Sequence, residues 1–388
     1  MINSFRRWTA IAVLALTVVF SGFVQAQTTA AEVVNAADKF LATLSAEQRQ
    51  KVSYAFDDEQ QRARWSNLPT GFVPRGGISL KQMTPVQREA AIKLLATVLS
   101  PMGLQKVNEI READDDFKAN GSRRGPGGPG GPPPGGPPPN AQGGPPPGFG
   151  RPSGPGGGAG QGGRPSFSSD EMFGSNLYYI SFLGKPSTTT PWILQFGGHH
   201  LALNVVIAGS RGALAPALTG AQPAVYTSGG KTVRVLAQEN DKAFALLDAL
   251  DASQRKQAIL DYRIDDLVMG PGRSGETIVP EGVKASAMND AQRALLMDLV
   301  AEWVGIVNTR YADARLAEIR AGLADTWFAW SGPATHAPGR NGSAYYRIQG
   351  PKLFIEFSPQ GVGGDPTMHV HTIYRDPTND YGSSWPVQ

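Results

Sequence analysis

Apolar residues recur at spacings of three and four along 38–56, 84–100, 241–260 and 290–321, the period of a helix with one buried face. The helix starts carry local signals. In "MTPVQRE", Thr84 stands as cap with Pro85 at the first helical position, and "MNDAQR" offers Asn289 or Asp290 as cap. After each helical stretch the pattern changes to short runs rich in aromatic and β-branched residues, divided by glycine and proline. These are "LYYISFLG", "WILQF" and "HLALNVVI", then "TWFAWSG", "AYYRIQG", "KLFIEFS" and "HVHTIYRD". The pattern predicts an α+β fold in which helices precede mainly antiparallel strands in each half, with the strands of both halves joined in one sheet under paired helices.

The two halves also resemble one another. "LSAEQRQK" (44–51) matches "LDASQRKQ" (250–257), and "ISLKQMTPVQREAAIKLLATVLS" (78–100) matches "VKASAMNDAQRALLMDLVAEWVG" (283–305). Met288 follows Met83 by 205 positions, while Val279 follows Val73, and Gln254 follows Gln48, by 206. Several matches in one order at nearly one spacing predict a tandem, pseudo-symmetric repeat. The first unit is 27–230 and the second 231–388.

Two segments stand outside this plan. Arg6 and Arg7 precede an apolar run to about Val24, and "VQA" places small residues for cleavage after Ala26; 1–26 reads as a secretory signal. That predicts a periplasmic or secreted protein with no stable membrane insertion once the signal is removed. Residues 121–166, "GSRRGPGGPGGPPPGG…", cannot form a core and read as a disordered, partly polyproline insertion in the first unit.

Charge matters only after these segments are set aside. The chain's formal charge is +3, but the leader contributes two arginines and the insertion four, with no acid in either. Removing six positive charges leaves −3 for the remainder, which argues against a nucleic-acid partner. There is no cysteine, so disulfides, thiol chemistry and cysteine-bound metals are excluded.

The candidate chemistry lies in the histidines. Four of the five fall in "FGGHHLALN" and "HVHTIYRD", at strand ends that align when "PWILQF" is set on "PKLFIEF", an alignment that also matches Gln195 with Glu356. On a strand, His369 and His371 point to one face. Read as strand, "HHLALN" puts His199 on the face of Leu201 and Leu203, and His200 with Ala202 and Asn204. His200, His369 and His371 are therefore the expected metal ligands, and His199 a core histidine. Glu356 is the candidate fourth ligand or general base, and Arg375 the group that would position an anionic small-molecule substrate. The metal would be zinc, iron or copper. The alternative is a metal-free network in which the histidines bond Asp365, Asp376 or Asp380; Asp376 could also orient a metal-bound histidine. His336, in a loop, is expected to be solvated.

"YYISFLGKPS…PWILQFGGHHLALN", "FAWSGP", "YYRIQGPKLFIEFSPQ" and "HVHTIYRDPTNDYG" resemble the family catalogued as domain of unknown function 3500, in its secreted bacterial form, over most of the mature chain. The resemblance implies no activity. The residues themselves favour an exported metal-dependent enzyme, a hydrolase first. A copper- or iron-dependent oxidase and a non-catalytic envelope protein that binds a small ligand are the alternatives.

Overall fold

A computed structural model describes residues 30–121, 168–362 and 364–385. The expected signal at 1–26 and nearly all of the glycine/proline segment lie outside the described residues. No described helix is long and apolar enough to cross a membrane.

The helical stretches divide where polar side chains cap new helices. In the first half, α1 (Ala30–Ala42) stops and Ser45 caps α2 (Ala46–Val52); α3 (Pro85–Val98) is followed by α4 (Pro101–Asn120), capped by Ser100. In the second half, α5 (Ala237–Ala249) gives way at Asp251 to α6 (Ala252–Ala258), and Asn308 separates α7 (Asp290–Val304) from α8 (Thr309–Ala321). Three of the expected continuous helices, 38–56, 241–260 and 290–321, are thus broken. A periodic apolar stripe continues across a break, but the orphan N–H groups of the new helix need a cap.

Four of these helix starts are tied in pairs. Gln48 and Gln87, each accepting from its own N-cap residue, bond each other through their amides at 2.8 and 3.4 Å. Gln254 and Gln292 do the same at 2.8 and 3.1 Å. Gln87 and Gln292 also donate to Thr43 and Ala249 carbonyls that end the preceding helical segments. The helical layers of the two halves meet where Ser100 N donates to Ile306 O and Asn308 N to Val98 O, both at 2.9 Å.

The strands are β1 (Ile78–Ser79), β2 (Tyr179–Leu183), β3 (Trp192–Gly198), β4 (Leu201–Ala208), β5 (Arg211–Ala221), β6 (Val283–Lys284), β7 (Trp327–Ser331), β8 (Tyr345–Gly350), β9 (Leu353–Pro359) and β10 (Val370–Arg375). They form one sheet in the order β1-β2-β3-β4-β5-β10-β9-β8-β7-β6, with Ser53–Tyr54 added parallel to β2 and all other neighbours antiparallel. The α+β class therefore stands, in a sheet that runs through both halves. β5, "RGALAPALTGA", is central yet was not expected from sequence. It is rich in glycine and alanine and contains Pro216, which strand rules place at edges or bulges. β5 bulges here, two of its residues, Ala215 and Pro216, standing against Asn204, whose Nδ2 donates to Pro216 O at 2.7 Å.

The two sheet faces differ. One presents Leu203, Val205, Ile207, Ile355, Phe357, Val370 and Tyr374 to a core shared with Leu94, Val107, Leu299 and Trp303 of the helices. The other buries Ser181, Gln195, Asn204, Arg347, Glu356, Ser358, His371 and Arg375. It is covered by the irregular segments 55–77 and 261–282, whose groups bond to it.

If the paired capping glutamines hold the helix starts, Gln87→Ala and Gln292→Ala should each cost about 1–2 kcal/mol, the sum expected for a lost cap and a buried amide bond. Chemical denaturation checks this, and the two losses should be similar in size.

Candidate metal centre

β3 and β4 pair through Gly198 and Leu201, so His199 and His200 are the two residues of a tight hairpin turn. This corrects the expectation that they lie on a strand. His200 has φ 59°, in the left-handed region that normally suits glycine and costs an L-residue on the order of 1–2 kcal/mol. Close packing needs glycine nearby. A Cβ at Gly198 would stand 2.7 Å from Leu177 O, and one at Gly220 would meet Val370 O at 2.6 Å and the His200 ring at 3.3 Å.

The turn sends its two side chains to different partners. His199 Nδ1 reaches Asp114 of α4 at 2.6 Å, while His200 Nε2 lies 3.0 Å from His369 Nε2 and 3.1 Å from His371 Nε2. His369 and His371 project from one face at the start of β10, their Nε2 atoms 3.0 Å apart. The register explains the meeting. β10 pairs with β5 so that His371 faces Gly220, and β4 pairs with β5 so that Leu201 faces Thr219. The hairpin turn is thereby laid over the first residues of β10.

The expected equivalence of the two histidine motifs is therefore not what unites them. Counted outward from the central β5–β10 pair, β3 stands third on its side and β9 second, so "PWILQF" and "PKLFIEF" occupy different places. The hairpin turn and the β10 start come together as neighbours across the sheet's centre.

Three Nε2 atoms at mutual distances of 3.0–3.1 Å pose a chemical problem. Each is either an N–H donor or a lone-pair acceptor, so at least one of the three pairs must be alike and repel. Protonation gives no relief. Burial, followed by the neighbouring imidazoles, holds His200 well below its ordinary pKa; burial and His371 do the same for His369, against the opposing Val362 carbonyl. The rings are only 3–7% exposed. A cation removes the conflict. Zinc–imidazole bonds of about 2.0–2.1 Å place nitrogens about 2.9 Å apart on an octahedral face and about 3.3–3.4 Å apart in a tetrahedron, and the observed edges lie between. These three residues form the group of metal-capable side chains found among the described residues, with ligand atoms all within 4.8 Å of one another.

The far nitrogen of His369 fits the same picture. His369 Nδ1 lies 2.9 Å from Val362 O, which requires N–H there and leaves the lone pair on Nε2. His371 Nδ1 is 3.3 Å from Asn67 Nδ2, a donor that calls for a lone pair there, and 3.7 Å from Asp266 Oδ1, an acceptor that calls for N–H and so leaves the Nε2 lone pair free. Sequence reasoning missed Asn67, Asp266 and Asp114. The first two sit in irregular segments with no periodicity, and Asp114 reads as one of several acids on a solvated helix face.

The other expected site residues are placed elsewhere. Glu356 is fully buried and outside the histidine cluster. Its oxygens accept from Val268 N, Met269 N and Tyr345 Oη at 2.6–2.8 Å, leaving it no role as ligand or base at the cluster. Burial raises its pKa, against these three donors. Arg375 is also corrected: Nε and Nη2 donate to Met269 O and Gly270 O, and Nη1 to Asp380, so it offers no fork to a substrate anion. Together Glu356 and Arg375 clamp 268–270 on the sheet by both its N–H and its C=O groups. The metal-free alternative loses its partners as well. Asp365 bonds Thr367 and Arg340, Asp376 bonds Thr378 and Arg315, and Asp380 bonds Arg375. Asp376 consequently orients no histidine. His336 packs against Phe244, apart from the cluster.

A family model described as a protein of unknown function (DUF3500) matches residues 26–383. No curated protein and no solved structure matches the chain.

The clamp makes a test that separates structure from site. Arg375→Met leaves the Asp380 carboxylate buried without its cation and should cost about 3–5 kcal/mol. Glu356→Gln sets an amide NH2 against a backbone N–H and should cost about 1–3 kcal/mol. Both losses would appear in chemical denaturation, while the cluster's three imidazoles remain unchanged.

Proposed function

The chain belongs to the DUF3500 family, and we propose that it is an exported metal-dependent enzyme, with hydrolysis as the favoured reaction. The observation that carries the reading is the convergence of three Nε2 atoms that cannot all be satisfied by one another. His200, His369 and His371 would hold the metal. With three imidazoles and no protein carboxylate in the group, zinc, copper and iron fit better than magnesium or calcium, which take oxygen ligands. Such a centre keeps a position open and would supply an activated water at neutral pH. The three residues hold that position on a buried polar surface, and the clamp by Glu356 and Arg375 fixes the segment that brings Asp266 towards His371.

A copper- or iron-dependent oxidase is the second reading, supported by the same all-nitrogen donor set. The substrate is a small molecule; Arg375 is engaged within the protein and would not be the group that receives an anion. Export rests on the sequence pattern of residues 1–26. We further propose that the halves arose by tandem duplication. The glutamine pairs Gln48–Gln87 and Gln254–Gln292, related by spacings of 206 and 205, and the mirrored strand order support it.

Metal analysis of gently purified protein should find one transition metal per chain. His369→Ala and His371→Ala should each abolish stoichiometric binding while leaving the helical circular dichroism intact. Retention of the metal in both variants would overturn the reading.

A further inference from the structure

We propose that Asp114 and His199 form a positioning dyad that aims His200 at the metal. The inference rests on the metal reading above and adds residues from outside the ligand set.

The three ligands are not oriented alike. His369 is turned by the Val362 carbonyl and His371 by Asn67 and Asp266. For His200 the described residues provide no hydrogen bond at Nδ1. Its ring is set instead by packing, between Gly220 beneath it and the His199 ring stacked on it at a centroid distance of 3.8 Å and an interplanar angle of 29°. A stack orients a ring only if the stacking partner is itself fixed.

His199 is fixed from three sides. The 2.6 Å contact from Nδ1 to Asp114 Oδ1 has the length of a charge-assisted bond and sets the rotation of the ring. Phe173 packs against the ring in a T-shaped arrangement, centroids 5.2 Å apart. Tyr178 Oη donates to His199 O at 2.8 Å, holding the turn's backbone. Asp114 is equally constrained. It is buried on α4, and its second oxygen accepts the N–H of Gly174 at 3.0 Å. The path from helix to ligand is thus Gly174, Asp114, His199, His200. It holds His200 in a backbone conformation that a histidine does not adopt by preference.

Cobalt(II) titration of the metal-free protein, followed by its visible d–d absorption, tests the dyad. His199→Ala should weaken cobalt binding about 10–100-fold, the usual cost of removing a partner that orients a ligand, and should shift the d–d bands. Asp114→Asn should act in the same direction with a smaller loss. The double variant His199→Phe/Asp114→Asn keeps an aromatic ring in the stack but removes the bond that fixes it, and its cobalt affinity should stay below that of wild type; full recovery would show that packing alone suffices and would overturn the dyad. Wild-type affinity and spectrum in His199→Ala would overturn the dyad. If that variant does not fold, an unchanged affinity and spectrum in Asp114→Asn would do so. Failure of the wild-type chain to take up cobalt would instead overturn the metal reading. The dyad is then read from the imidazole 15N shifts of His200 in the metal-free protein, which Asp114→Asn should move; unchanged shifts would refute it.

Discussion

The antiparallel pairing of β5 with β10 is the contact on which the rest of the molecule depends. It is the only β-pairing in the main sheet, among the described residues, that joins the two halves of the chain. Its register has two consequences at once. Thr219 and Thr372 face the helices, where their hydroxyls meet at 2.7 Å and Trp303 Nε1 donates to Thr372. One residue away, on the opposite face, His371 stands over Gly220 and beside the β3–β4 turn. A slip of one residue would turn His371 towards the apolar helix layer and Thr372 towards the irregular segments, so the register that closes the core also builds the histidine cluster.

The face carrying that cluster is costly to build. A sheet normally hides apolar side chains, but here carboxylates, guanidinium groups and amides are taken out of water, and each must find a partner. The irregular segments supply them largely through backbone. Gln195 Nε2 donates to Gln61 O, Glu356 accepts from Val268 and Met269, and Arg375 donates to Met269 and Gly270. Irregular chain suits this task because its N–H and C=O groups are not consumed by a ladder. The polar sheet face therefore holds the segments in place, and the segments bring Asn67 and Asp266 to His371.

This division explains what could be read from sequence. The helical stripe and the β-branched runs report burial against the helix layer, so the α+β class and most strand positions were legible. The three metal-capable histidines were also legible, although the alignment used to connect them was not the one the sheet adopts. β5 was hidden because its sequence follows close packing and not strand propensity: Gly220 is there to admit His200, and Pro216 sits in a bulge against Asn204. The roles of Glu356 and Arg375 were misread for a related reason. Residue type and proximity in sequence announce reactive groups, but whether a carboxylate is free or saturated depends on backbone donors from 268–269, nearly ninety positions away.

His200 brings these strands of argument together. The residues of a two-residue hairpin are normally chosen for the turn, and a left-handed position favours glycine or asparagine. A buried histidine there satisfies neither backbone preference nor easy desolvation, and it faces two more imidazoles. Each of these is a local violation. The last two would be relieved by one event, a cation seated among the Nε2 atoms, which would take up the lone pairs and compensate the desolvated rings, leaving the turn's backbone to be held by its packing. Departures from local rules that share one remedy are expected at a functional centre and not in a structural core. The surrounding fold is organised accordingly: Tyr178, Asp114 and Gly220 hold the strained turn from its carbonyl, its neighbouring ring and its underside.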